Sequence, residues 1–248
     1  MFRLALRQTE GLIASIIGLL GLNLAVPDHS TLSRRAATLE VPLPHFSASA
    51  DGRAMHLLVD STGLKLCGAG EWLVEKHGTK TRRSWRKLHM DAETDEIVAA
   101  ALTTNDVDDA SQVGPLLDQL DVALASFTGD GAYDQDSLYS AVTDRDPDAL
   151  VIVPPRATAV LSETAETKPT QRDKHLQGIT AKVRIAWQRS SGYTKQSRVE
   201  TAIGRYKHAI GDGLRFHKDE RRDTEVRVAV QVLNRMSNLG RPISVRIA

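Results

Sequence analysis

The feature that most constrains this chain is a change of hydrophobic period near residue 55. Before it, Leu4, Leu12, Ile16, Leu19 and Leu20 recur at helical spacing over residues 2–22. After it, His56-Leu57-Leu58-Val59-Asp60-Ser61-Thr62 is a buried-strand run that closes on a polar turn. Trp85–Asp91 and Glu96–Thr103 read as two further strands joined by the turn Ala92-Glu93-Thr94-Asp95. Next come a helix over Ser111–Leu120, a short strand Leu124–Thr128, a helix Gln135–Val142, and a strand Leu150–Val153 stopped by Pro154-Pro155. Strong helical patterns cover Lys195–Ile210 and Thr224–Leu239. This order predicts an α/β fold: a mixed sheet with a three-strand antiparallel meander, parallel later strands and flanking helices.

The upstream part is shorter and less regular. Pro27-Asp28 breaks the first helical pattern, and Asp28 or Ser30 is placed to cap a short helix through Arg35. Leu39–Asp51 holds Pro42 and Pro44 and reads as a linker, dividing a helical segment 1–50 from a main domain 51–248. Residues 156–194 are polar and weakly patterned, the signature of a long loop or an insertion. The stretch Leu12–Val26 is apolar but shorter than the roughly 20 residues a membrane span needs, and Ser15 and Asn23 interrupt it. It reads as a core helix, with no membrane role. The single cysteine, Cys67, excludes an internal disulfide framework and a Cys-rich zinc site, and suits a cytoplasmic protein.

Net charge is only +1, yet its distribution is uneven. Lys76–His89 holds Lys76, Lys80, Arg82, Arg83, Arg86 and Lys87 and no acid, whereas Asp91–Leu150 holds fifteen acids against Arg145 alone. Lys195–Arg222 is again basic. Basic segments around an acidic middle suit a protein that grips a polyanion and holds metal between the grips.

Within the acidic middle, Asp130 stands at a strand end between Gly129 and Gly131, which let substrate or backbone come close. Asp60 stands at the end of the first apolar strand. Carboxyl ends of such strands are where active sites gather. Glu200 is the best third acid: Glu200, Ile203 and Lys207 lie at i, i+3 and i+7, one face of a helix. Three carboxylates without His or Cys are hard oxygen donors for Mg²⁺ or Mn²⁺, and two such ions serve in-line phosphoryl displacement.

The ordered set resembles the DDE transposases of bacterial insertion sequences, specifically the family commonly numbered five. Val59-Asp60-Ser61-Thr62-Gly63-Leu64-Lys65 looks like its first-aspartate segment, and Gly129-Asp130-Gly131-Ala132-Tyr133-Asp134 like its second. His77-Gly78 followed by Trp85-Arg86-Lys87-Leu88-His89 is similar to its second-strand stretch, and Asn105 with Asp108 and Asp109 to its polar turn after the third strand. Tyr193, Arg198, Glu200 and Lys207 resemble its tyrosine-arginine-glutamate-lysine signature, with six residues between Glu200 and Lys207.

The resemblance implies a ribonuclease-H-like fold, Mg²⁺ dependence, and action on terminal inverted repeats and target DNA inside a homo-oligomeric complex at the nucleoid. It makes Asp60, Asp130 and Glu200 the catalytic and metal-binding triad. Lys207, Arg198, Tyr193, Lys87, Arg86 and Arg83 are then expected along the DNA, with Arg34 and Arg35 at the end of a helix-turn-helix-like unit. Relatives carry a longer helical region ahead of the first strand, so an N-terminally shortened form is expected. Two other readings stay open: an inactive or repressor-like DNA-binding relic, and a structure-specific nuclease of the same fold.

Overall fold

A computed structural model describes residues 4–36, 38–42, 54–66, 85–93 (backbone only) and 96–240. It is a mixed α/β structure built on a six-stranded sheet. The strands are β1 (Met55–Leu66), β2 (Trp85–Glu93), β3 (Glu96–Thr104), β4 (Leu124–Thr128), β5 (Leu150–Ile152) and β6 (Gly213–Leu214). Their order is β3-β2-β1-β4-β5, with β6 added beside β1. The pairs β1–β2 and β2–β3 are antiparallel, while β1–β4, β4–β5 and β1–β6 are parallel.

Successive residues of a strand face opposite sides, and β1 feeds a core on each. Leu57 and Val59 join one apolar cluster with Val98, Phe127 and Val151. The helices α3 (Val113–Leu117) and α4 (Asp136–Arg145) pack into it through Leu116, Leu138 and Val142. Leu58 and Leu64 join the other, built with α7 (Ser197–Ala209) and α8 (Asp219–Asn238). The apolar run of β1 is therefore continuous because both of its faces are covered. On α8 the buried Asn234 accepts from Ile97 N at 2.9 Å and donates to Ile97 O at 2.8 Å, tying the helix to the sheet-edge strand β3.

Three expectations are corrected. Leu12–Val26 is no core helix, since none of its residues is buried. β1 does not end near Asp60 but runs to Leu66, because it changes partner: β4 pairs with it as far as Leu58 and β2 takes over from Val59. Residues 156–194 are not a long loop, since they hold α5 (Gln171–Lys182) and α6 (Arg184–Ser191). Upstream, α1 (Leu6–Leu19) touches α2 (His29–Arg35), whose Asp28 cap accepts from Ser30 N and Thr31 N as expected. Neither helix has a buried residue.

Candidate active site

The change of partner along β1 positions the first acid. Leu58 is registered with Thr128, the last residue of β4, and Asp60 and Asp130 each follow two residues further on. Asp60 lies on the Leu58 side of β1, the side covered by α7. The loop after β4 is shaped by packing. A Cβ on Gly129 would meet the rings of Tyr133 at 3.1 Å and Phe127 at 3.2 Å, so a side chain there would push the rings back by a few tenths of an ångström. That close approach is by the chain's own aromatic rings. Asp130 then caps a 3₁₀ turn, Gly131–Tyr133, its carboxylate accepting from Ala132 N at 2.9 Å.

The third acid is brought in by a helix pinned at both ends to β1. The 3₁₀ turn Tyr193–Gln196 leads into α7, and the buried Gln196 donates from Nε2 to Val59 O at 2.8 Å. Beyond α7, Asp212 O accepts from Lys65 N at 2.8 Å, Asp212 pairs with the Lys65 ammonium at 2.8 Å, and β6 joins β1. The thirteen residues of α7 rise about 20 Å, as do the six steps from Val59 to Lys65. Strand and helix thus run alongside each other. Val199, Ala202, Ile203 and Tyr206 are buried against the sheet, and Glu200 and Lys207 flank that stripe, exposed.

Electrostatics tie these groups together. Burial, first, pushes the Asp60 carboxyl up to about 6, against a hydrogen bond from Ser61 N; the charges of Asp130, Glu200 and Asp109 add to the rise. Asp109 reaches the site across β1, its carboxylate accepting from Ser61 Oγ at 3.0 Å. The Tyr193 phenol is also raised, by burial and then by Asp130 and Glu200, with Asp60 a smaller contributor and Arg184 opposing. Asp60, Asp130, Glu200 and Tyr193 therefore share one neighbourhood. Among the described residues no three His, Cys, Asp or Glu side chains stand at metal-holding spacing. The donor set itself, carboxylates without His or Cys, fits a hard divalent cation.

The other expected residues lie around this cluster or outside the described part. Arg198 and Lys207 are exposed on α7, and Arg34 and Arg35 on α2.

 The side chains of Arg86 and Lys87, and all of Arg83, lie outside the described residues. The cation bearing on Tyr193 is Arg184, which opens α6.

Several groups around the site carry no sequence signal of their own type. Asp134 is fully buried and takes Arg172 at 2.8 and 3.1 Å and Arg156 N at 2.9 Å. Arg156 also donates to Gly131 O and Ala132 O, so two arginines lock the loop that carries Asp130. Burial alone would raise the Asp134 carboxyl, but the Arg172 and Arg156 hydrogen bonds outweigh it and hold it below the ordinary range. Trp187, Gln196 and His175 were equally unmarked. The one available cue was a tryptophan inside a polar tract of a chain with only three.

A mixed sheet of this order, with acids gathered where β1 and β4 part, is compatible with a ribonuclease-H-like nucleic-acid enzyme. Two family models, each described as a transposase DDE domain, match the chain, one over residues 51–236 and one over residues 1–69. The chain belongs to the DDE transposases of insertion sequences. No helix among the described residues is long and apolar enough to cross a membrane.

Proposed function

We propose that this chain is a DNA transposase that cleaves at the ends of its element and transfers the freed strand into target DNA, with Asp60, Asp130 and Glu200 as the catalytic acids. The observation that carries the reading is the Asp60 carboxyl, raised first by burial and then by the charges of Asp130, Glu200 and Asp109. Like charges gathered in a half-buried place are costly unless a cation or a reaction uses them. Mg²⁺ or Mn²⁺ held by the three carboxylates would supply an activated oxygen nucleophile and charge neutralisation at the phosphate. Tyr193 stands beside the acids with Arg184 bearing on it, so a backbone phosphate there would meet a phenol donor near a cation.

In the same reading Lys207, Arg198, Lys87, Arg86 and Arg83 grip the DNA backbone, Arg34 and Arg35 add contacts from segment 1–50, and the working unit is a homo-oligomer on paired terminal repeats. The test is a strand-transfer assay with a pre-cleaved repeat end and Mg²⁺. Joined product is expected, and Asp60→Asn should abolish it while DNA binding persists. Cutting without joining would favour a structure-specific nuclease, and binding without either would favour a repressor-like relic.

A further inference from the structure

Tyr193 is held from behind by residues of the 156–194 segment. His175 on α5 lies with Nε2 2.7 Å from Val151 O of β5 and with Nδ1 3.0 Å from Trp187 Nε1. An indole nitrogen only donates and a carbonyl oxygen only accepts. His175 therefore accepts at Nδ1 and donates at Nε2, the neutral tautomer with both ring nitrogens engaged. Its edge meets Trp187, ring centres 5.3 Å apart at 81°. Trp187, only 4% exposed, in turn covers Tyr193, centres 5.7 Å apart at 34°. Val151 is registered with Phe127 in β4, the strand that leads to Asp130. A line of contacts thus runs from the sheet through His175 and Trp187 to the phenol beside the acids.

We propose that His175 and Trp187 are positioning residues for the transfer reaction: they fix the Tyr193 ring beside Asp60, Asp130 and Glu200, so that its hydroxyl meets the substrate phosphate in one pose. This rests on the function proposed above. Tyr193 follows Gly192, a left-handed glycine at φ 80°, and sits in a short 3₁₀ turn. Its ring orientation is therefore set by side-chain packing rather than by a long helix. Pre-orienting a phosphate-contacting group helps catalysis because its freedom is lost before the reaction, not during it.

The test has two arms. In protein with labelled tyrosine rings, the Tyr193 resonances (assigned with Tyr193→Phe) should be displaced by the Trp187 indole. His175→Leu should move them toward solvent-exposed values while those of the buried Tyr133 and Tyr206 stay in place. If Tyr133 and Tyr206 move as well, His175→Gln, which keeps a donor and an acceptor, is read instead and should give an intermediate shift. Tyr193 resonances unmoved in a folded variant would overturn the proposal. In the second arm, His175→Leu should lower kcat for strand transfer about tenfold, with DNA affinity within about twofold, and should add no further loss on top of Tyr193→Phe. Fully multiplicative losses would overturn it. If the wild-type protein neither cleaves nor joins DNA, the functional reading fails, while the resonance shifts still decide whether His175 and Trp187 hold Tyr193.

Discussion

Asp130 and Asp134 stand four residues apart on one loop, yet they belong to opposite kinds of electrostatic site. Asp134 is fully buried and completely answered, by a two-point Arg172 contact and a backbone donor from Arg156. Asp130 instead adds its charge to the burial that pushes the Asp60 carboxyl up to about 6. Burial opposes ionisation in both places, and only at Asp134 do donors outweigh it. Stability alone explains the Asp134 site. The Asp60 site is a standing cost to the fold, which the proposed catalytic role would explain.

The largest expected effect breaks the comparison on its functional side. Asp60→Asn, Asp130→Asn and Glu200→Gln should each lower strand transfer by about a thousandfold or more and leave DNA affinity within a few-fold. Single-turnover assays and equilibrium binding measure the two quantities. A variant with the wild-type rate removes that residue from the triad.

Next comes the structural side. Arg172→Leu leaves Asp134 buried without its main partner, which should cost about 3 kcal/mol and lower Tm by about 10 °C. The folded-state pKa of Asp134 is depressed. Its contribution is therefore present above the unfolded carboxyl value, about 4, and is lost as pH falls below it. Thermal unfolding at pH 7 and pH 3 should show the Arg172→Leu deficit shrinking in acid. A deficit independent of pH would assign the loss to packing alone.

A smaller effect of opposite sign is expected at Asp60. Its folded-state pKa, about 6, lies above the unfolded value of 3.8. The folded state holds that proton more tightly, so the penalty is absent below the unfolded value and complete above the folded one. Asp60→Asn should therefore stabilise the metal-free protein by on the order of 2 kcal/mol at pH 8 and by little at pH 4. Urea unfolding at the two pH values checks the sign. No gain at pH 8 would mean that water already relieves the acid cluster.

The smallest effect is at Lys207, exposed on the Glu200 side of α7. Lys207→Ala should weaken binding to all DNA sequences alike and reduce the salt-dependence slope by about one. Binding titrations across a range of salt concentrations measure it, and a loss confined to one base position would contradict a phosphate contact.

Much of this was legible in the sequence because it is written in local periods. The α/β class, the strand segments, the Asp28 cap and the helix bearing Glu200 and Lys207 all follow from windows of a few residues. The polar segment 156–194 reads as a loop, and not as helices, because its helices have weak apolar faces: α5 buries Asp173 and α6 buries Trp187. With so little hydrophobic stripe, the 3.6-residue period is faint.

What the sequence by itself determined is the set of chemical groups and their order: Asp60 on the first apolar strand, Asp130 just past a later one, and Glu200 and Lys207 two turns apart on one helix. Only the tertiary structure decided how they meet. β1 runs past Asp60 because a second strand takes over its pairing, and Gln196 binds Val59 across 137 residues of chain. Arg172 answers Asp134 from 38 residues away, and His175 on α5 holds Trp187 on α6, which covers Tyr193. Such contacts leave no periodic trace, because they depend on which distant surfaces close on each other when both faces of the sheet are covered.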